Sequence, residues 1–236
     1  MKKIISQIAA VALIFGATST ISNAGCDYIF GNECSTPDEC CFSYDYVDIA
    51  YLYSNYGSAV PPNVFGGAAA PNASIIDKLK GVDIEFKKAI GCNFYFSGEF
   101  YNTDGVLSDQ IVAANPALFG KRAEFYYYRA GVGYHHSLAD NIDFTFEGGG
   151  LYWDCRVPAK HQDEWGWYIS PGLRVCMGFG ELYANYMYEN FETQENHRFE
   201  GGAIVPVTEC MSFKLAGRYE TEYEKSSFLA GIRFNY

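Results

Sequence analysis

The sequence ends on Phe228-Leu229-Ala230-Gly231-Ile232-Arg233-Phe234-Asn235-Tyr236, in which apolar residues alternate with small or polar ones. Successive side chains of a β-strand point to opposite faces, so this alternation predicts a strand with one apolar face. The predicted strand runs to the final residue. Ends of soluble domains usually fray, whereas a closed barrel needs its last strand to pair with its first. The stretch therefore predicts the closing strand of a β-barrel.

The same stretch closely resembles the C-terminal assembly signal of bacterial outer-membrane β-barrel proteins. The alternate positions of that signal are occupied here by Phe228, Ile232, Phe234 and Tyr236. The resemblance implies a barrel in the outer membrane of a Gram-negative bacterium. Its implied partners are the barrel assembly machinery and outer-membrane lipid.

The start of the sequence agrees with export. Residues 1–24 are predicted to be a signal peptide, because Lys2 and Lys3 precede an apolar stretch and Ser22-Asn23-Ala24 forms a small-x-small cleavage site. A lipoprotein signal acylated at Cys26 is the alternative, but Asn23 stands where such a signal needs an aliphatic residue. No later run of about 20 apolar residues predicts a membrane-spanning helix. The predicted mature chain has a Cys-rich periplasmic lead-in at 25–43 and a barrel at 44–236.

Composition narrows the class of protein. The 20 Tyr, 18 Phe and 3 Trp residues make up 17% of the chain, and membrane barrels place such residues in girdles at both interfaces. Removal of Lys2 and Lys3 with the signal leaves 15 of the 17 basic residues against 28 acidic ones. This acidity argues against nucleic-acid binding, which needs a basic surface.

Ten alternating segments follow residue 44, which predicts an all-β, closed antiparallel transmembrane barrel of about ten strands in meander order, with eight strands as the alternative count. Long connections are predicted after odd-numbered strands and short turns after even-numbered ones. Because outer-membrane barrels have short periplasmic turns, both termini are expected in the periplasm. A soluble lipocalin-type barrel has the same alternation, but the loop asymmetry and the aromatic content favour the membrane barrel. The predicted connections are Tyr56–Ile76, Thr103–Lys121, Asp154–Asp163 and a loop that contains Gln194–His197.

Charged residues alternate with the apolar face and are predicted to line the lumen. Charges of both signs in so narrow a barrel allow two interpretations, a salt-bridged and mostly closed interior or a narrow polar channel in which Arg129, Arg174 and Arg218 set ion preference. The sequence alone does not decide between them. The predicted lumen-lining residues are Asp48, Asp83, Glu85, Glu99, Arg129, Glu147, Arg174, Lys214, Arg218 and Arg233, and the same parity adds Lys87, Glu181, Arg198, Glu200 and Glu220.

Eight cysteines lie beyond the predicted cleavage point, and an exported chain meets an oxidising compartment, so disulfides are expected. Intramolecular bridges between the lead-in and the turns are one possibility, and disulfide-linked envelope partners or a homo-oligomer are the other. The Cys-rich lead-in gives the chain a faint resemblance to the cysteine-rich major outer-membrane proteins. A zinc site is disfavoured because no CxxC pair is present. The disulfide candidates are Cys26, Cys34, Cys40, Cys41, Cys92, Cys155, Cys176 and Cys210.

Two enzymatic interpretations rest on short motifs. His135-x-Ser137 resembles an element of outer-membrane lipid A deacylases, with Glu147 as the expected partner of the imidazole. An omptin-type protease would need acidic and His residues at the outer rim. The residues available for that site are Asp154, His161, Asp163 and His197.

The sequence therefore predicts an integral outer-membrane barrel that is porin-like or structural, without a cofactor or metal and without enzymatic activity. A surface adhesin or receptor acting through extracellular loops is the alternative, and a barrel enzyme is the less favoured one. Fold class alone does not choose among these, because small barrels serve all three purposes.

Overall fold

The computed structural model describes residues 42–56, 76–107, 119–157, 160–222 and 224–236. The predicted signal peptide and almost all of the predicted lead-in lie outside these ranges. None of the described residues forms a helix long and apolar enough to cross a membrane. The strands are β1 (Tyr46–Tyr56), β2 (Ile76–Ile90), β3 (Phe94–Leu107), β4 (Arg122–Ala139), β5 (Ile142–Val157), β6 (Lys160–Met177), β7 (Gly180–Phe191), β8 (Glu195–Thr208), β9 (Met211–Glu220) and β10 (Lys225–Asn235).

The ten strands form a closed antiparallel barrel in which each strand pairs with its neighbours in the sequence. Strand β10 closes the barrel against β1, from Tyr46 opposite Asn235 to Tyr56 opposite Lys225. Closure leaves no sheet edge with unpaired backbone groups. The fold class, strand number and meander order predicted from the sequence are confirmed.

The two mouths of the barrel differ in the strand ends and turns that they carry. The proximal mouth is where β1 begins and β10 ends, and it carries the turns 91–93, 140–141, 178–179 and 209–210. The distal mouth is the opposite end, where β5 gives way to β6 and β7 to β8.

Several strands are longer than the sequence predicted. Residues 103–107 belong to β3, and most of the predicted loop Asp154–Asp163 is strand, with only 158–159 between β5 and β6. Likewise Glu195–His197 belong to β8. The prediction of long connections after every odd-numbered strand is therefore wrong for β5, β7 and β9. Polar outward residues continue the ladder here, because backbone pairing does not require an apolar side chain.

Alternation separates an apolar outer face from a charged inner one. On β9, outward Phe213, Leu215 and Tyr219 are exposed, while the inward residues between them are buried. On β10, Phe228 and Phe234 are exposed in the same way. The residues of the predicted assembly signal thus lie on the outer face, and the charged residues of the barrel lie in its interior.

Candidate functional site in the barrel interior

All ten predicted lumen-lining residues point into the barrel, because each stands on the inward parity of its strand. Nine of them are buried, and Glu85 is nearly so. Their side chains meet in one continuous ion-pair network. Buried charges are tolerated only when they are paired and hydrogen-bonded, so the pairing decides whether this interior is stable.

The proximal half of the network is centred on Lys214. Its ammonium group lies 2.8 Å from a carboxylate oxygen of Asp48 and 2.8 Å from one of Glu85. Arg233 donates two hydrogen bonds to the two oxygens of Asp48, at 2.7 and 2.9 Å. This bidentate geometry fixes the guanidinium plane as well as its position. The pairing joins β1, β2, β9 and β10 across their seam.

The central layer is organised around the carboxylate of Glu99 on β3. Three guanidinium groups donate to it: Arg129 at 2.5 Å, Arg198 at 2.6 Å and Arg218 at 2.7 Å. Arg129 stands directly opposite Glu99 on the neighbouring strand, whereas Arg198 and Arg218 extend across the barrel from β8 and β9. Because it accepts hydrogen bonds from three cations, this carboxylate links β3 and β4 to β8 and β9 across the lumen.

The remaining cations complete the layer. Arg218 also donates to Asp83 at 3.0 Å and to Glu200 at 2.7 Å. Arg129 donates to Glu147 at 3.2 Å, and Lys87 pairs with the same carboxylate.

Arg174 is separate from this layer, because it pairs with Glu181 near the proximal mouth, at 2.6 Å. The predicted selectivity set Arg129, Arg174 and Arg218 therefore does not form one ring. Its members neutralise different carboxylates.

Interior tyrosines form a second set of partners, although the aromatic content of the sequence predicts such residues for the membrane interfaces. The cation of Arg233 lies 3.5 Å from the ring centroid of Tyr46, and that of Arg129 lies 5.3 Å from Tyr168. Such contacts add to the ion pairs because the ring face is negative. Strand parity was the available signal, since these tyrosines share the inward face with the charges. The other pairs are Lys87 with Tyr95, Arg198 with Tyr127, Lys214 with Tyr183, and Arg218 and Lys225 with Tyr101.

The segment before β1 enters the proximal mouth. Tyr44 stacks on His135 with ring centroids 4.1 Å apart and donates a hydrogen bond to Asp143 at 3.1 Å. Arg174 donates twice to the backbone carbonyl of Ser43, at 3.2 Å, and its cation lies over the Tyr44 ring. Burial raises the pKa of the Tyr44 phenol, so the proton that it donates is retained. These contacts place Tyr44 at the proximal end of the lumen.

Two small cavities lie between interior side chains of the described strands. One, of about 10 Å³, lies beside Arg129, Glu147 and Arg198, and the other, of about 20 Å³, lies beside Lys87, Arg174 and Lys214. Each has room for about one water molecule. Neither admits a hydrated ion or an organic solute.

The distal third of the interior is more apolar. Trp153 and Phe191 pack edge to face with ring centroids 6.2 Å apart, beside Cys155, Leu52 and Leu229. Opposite Trp153 in the β5–β6 ladder, the carboxylate of Glu164 accepts hydrogen bonds from neutral groups only.

The deacylase interpretation gains no support from the geometry. His135 pairs with Asp143 at 3.3 Å, not with Glu147, which is held by Lys87 and Arg129. The Ser137 hydroxyl donates to Asp143 at 2.6 Å. A serine nucleophile needs its hydroxyl on the base, and here both groups converge on the acid.

The omptin interpretation is supported for only two of its four residues. Asp154 and His161 lie 2.9 Å apart on the outer surface, but Arg156 also binds Asp154, at 2.5 Å. Asp163 accepts from a tyrosine hydroxyl, and His197 bonds Tyr186 at 2.7 Å, two strands away from the pair. The four residues therefore do not surround a common point.

The cysteines of the described ranges lie near both mouths. Cys92 and Cys210 are exposed in proximal turns, Cys176 lies near the proximal end of β6, and Cys155 is buried in the distal half of β5. Cys26, Cys34, Cys40 and Cys41 lie outside the described residues, so the disulfides stay a prediction. Within the described ranges, no group of three His, Cys, Asp or Glu residues could hold a metal ion.

Comparison with known proteins finds similarity only at the level of three-dimensional structure. No family model matches the sequence, and no curated protein matches it. Similar solved structures include the outer membrane protein OprG from Pseudomonas aeruginosa, with 9% identity, 81% of this chain and 94% of that chain covered, and a TM-score of 0.43. The KdgM porin has 8% identity, 80% and 99% coverage and a TM-score of 0.42. The attachment invasion locus protein Ail of Yersinia pestis has 9% identity, 82% and 100% coverage and a TM-score of 0.35.

All three structures have less than 10% identity to this chain, so the likeness is one of fold alone. None of them is described as a cysteine-rich major outer-membrane protein, so that part of the resemblance stays a prediction.

Proposed function

We propose that this chain is an integral outer-membrane β-barrel with a closed interior, and that it acts as a structural envelope protein and not as an open pore. The observation that carries the proposal is the interior network. Cavities of about 10 and 20 Å³ lie between its carboxylates, cations and tyrosine rings. A porin needs a continuous aqueous path, and paired charges in the centre of the lumen block one.

The outer face supports the membrane placement. Every outward residue of β6 from Trp165 to Met177 is apolar, and Trp165 is 66% exposed. At about 3.3 Å per residue and a tilt of about 40°, this stretch rises roughly 30 Å, which matches the apolar band of a membrane barrel. Outward His161 and Asp163 lie just beyond it. The exterior is therefore suited to lipid over the height of a bilayer.

The lengths of the connections support an orientation in the membrane. The two longest, 57–75 and 108–121, join the distal ends of β1 and β2 and of β3 and β4, and outer-membrane barrels have their longer loops outside the cell. We place the distal mouth outside and both termini in the periplasm. The β5–β6 hairpin would then extend beyond the membrane with a polar outer surface, which favours surface adhesion or receptor binding as a second function.

Planar-bilayer recording tests the closed interior. The refolded, oxidised chain should insert without discrete conductance steps. The double variant Glu99→Ala/Arg218→Ala removes one anion and one cation, so the net charge is kept while the centre of the lumen is emptied, and it should produce steps. Discrete steps from the unmodified protein under the same conditions would reject the closed-barrel proposal in favour of a porin.

A further inference from the structure

One buried carboxylate of the interior has no basic side chain as a partner, whereas the others do. Among the buried acidic side chains of the described ranges, Glu164 alone has no basic side chain within 4 Å. Its residue is only 7% exposed. One carboxylate oxygen, Oε1, accepts from the Gln162 amide at 3.0 Å and from the Thr193 hydroxyl at 2.6 Å. Both donors are neutral.

Three polar atoms around Glu164 are buried without a hydrogen-bond partner. They are its second carboxylate oxygen, Oε2, the Gln162 amide oxygen and the Trp153 indole N–H. Trp153 and Glu164 stand directly opposite each other in the β5–β6 ladder, and Gln162 is the next inward residue of β6. Directly opposed side chains have Cβ atoms about 5 Å apart. The unpartnered atoms are therefore neighbours at one position of the distal mouth.

The chemistry of these groups selects a class of ligand. A buried carboxylate without a counter-charge is unfavourable, and a cation relieves that cost. The carboxylate and amide oxygens accept hydrogen bonds, which suits a group that carries several N–H donors. The aromatic wall of Trp153 and Phe191 suits a cation or an alkyl chain. A primary ammonium group on a short apolar stem satisfies all three requirements.

We propose that the inward side of the β5–β6 hairpin is a binding site for a primary ammonium group. The Glu164 carboxylate pairs with the ammonium, the Gln162 amide oxygen accepts a second N–H, and the stem packs on the rings of Trp153 and Phe191. Amines, amino sugars and the amino groups of peptides carry this chemistry. The site is independent of whether the barrel conducts, because it lies beyond the central ion pairs.

Tryptophan fluorescence provides a direct test. The three tryptophans are Trp153, Trp165 and Trp167, so a Trp165→Phe/Trp167→Phe variant leaves Trp153 as the only reporter. This protein, folded in a non-ionic maltoside detergent that carries no ammonium group of its own, is titrated with n-butylammonium chloride. The fluorescence should change in a saturable way. Parallel titrations with n-butanol and with sodium chloride at matched ionic strength should give no saturable change.

Matched variants identify the carboxylate. Glu164→Gln keeps the shape of the side chain and should weaken binding at least tenfold. Glu192→Gln, which changes an exposed acid in the adjacent β7–β8 turn, should leave binding unchanged. A heat-dependent gel shift checks that both variants are folded.

Several results would overturn the proposal. The absence of a saturable change with butylammonium would mean that the site binds no ammonium group and that only water forms hydrogen bonds with the polar atoms beside Glu164. An equal response to sodium would make the site one for inorganic cations. Unchanged binding in a folded Glu164→Gln variant would remove the carboxylate from the site.

Discussion

Strand β4 shows how the two faces of this barrel use the same residue type for different purposes. Tyr128 points outward, is 41% exposed and packs against Phe100 with ring centroids 4.9 Å apart. Its neighbour Tyr127 points inward, donates a hydrogen bond to Glu189 at 2.7 Å and lies beneath the cation of Arg198. The outer tyrosine contributes apolar area, and the inner one contributes a donor and a negative ring face.

The contrast extends to the whole molecule. The outer face depends on apolar area, so single changes there act through the cost of placing a polar group in lipid. The inner face depends on pairing, so removal of one partner leaves another charge buried and unpaired. The three predictions below compare the faces, and each pairs a damaging substitution with a matched control.

The largest effect is expected from Glu99→Gln. Three guanidinium groups lose the charge that they share, and breaking a buried ion pair in this way costs about 3–5 kcal/mol. The free energy of unfolding, measured by urea titration in lipid vesicles, should fall by that amount. Glu192→Gln, at an exposed turn, should change it by less than about 0.5 kcal/mol. Equal effects of the two variants would mean that the network contributes little to stability.

A charge on the lipid-facing band should be next in size. Leu173 lies near the middle of the apolar band on β6, and Leu173→Arg is expected to cost about 2–4 kcal/mol. Asn55→Arg places the same side chain on the outer face at the distal end of β1, where the cost should be about 0–1 kcal/mol. The same urea titration measures both. A cost at residue 173 that is no larger than at residue 55 would contradict the membrane placement.

The smallest effect on stability is expected from adding a methyl group, which compares how tightly the two faces are packed. A Cβ atom at inward Gly133 would lie 2.1 Å from the Tyr95 ring, whereas one at outward Gly217 would meet nothing within 4 Å. Gly133→Ala should therefore destabilise the barrel by about 1–3 kcal/mol through overpacking, and Gly217→Ala should be close to neutral. Thermal midpoints of the gel-shift transition rank the two. The reverse order would show that the interior is loosely packed.

Local patterns predicted the strands best where the outward residues were apolar. Trp165 to Val175 and Met211 to Glu220 alternate clearly, and both segments are strand in the structure. The prediction stopped short at Asp154–Asp163 because polar residues on both faces remove the alternation. Backbone pairing nevertheless continues through that segment, since the hairpin is held by main-chain hydrogen bonds.

The sequence predicted which residues line the candidate site, but it did not predict which of them form ion pairs with each other. The inward parity of Glu99, Arg198 and Arg218 follows from the sequence. Their convergence does not, because it depends on which strands face each other across the lumen. The same limit explains why Glu147 was assigned to His135. The two stand close in sequence, but Lys87 and Arg129 reach the carboxylate in the folded barrel.

The sequence by itself determined the class of this protein. Its alternation fixes which side chains face inward, and its aromatic content and charge separation predict a barrel with an apolar exterior. Only the tertiary structure decided what the interior does, because ion pairs such as Asp48 with Arg233 join residues 185 positions apart. Closure of β10 on β1 brings those residues together, and the same geometry leaves Glu164 without a cation at the distal mouth.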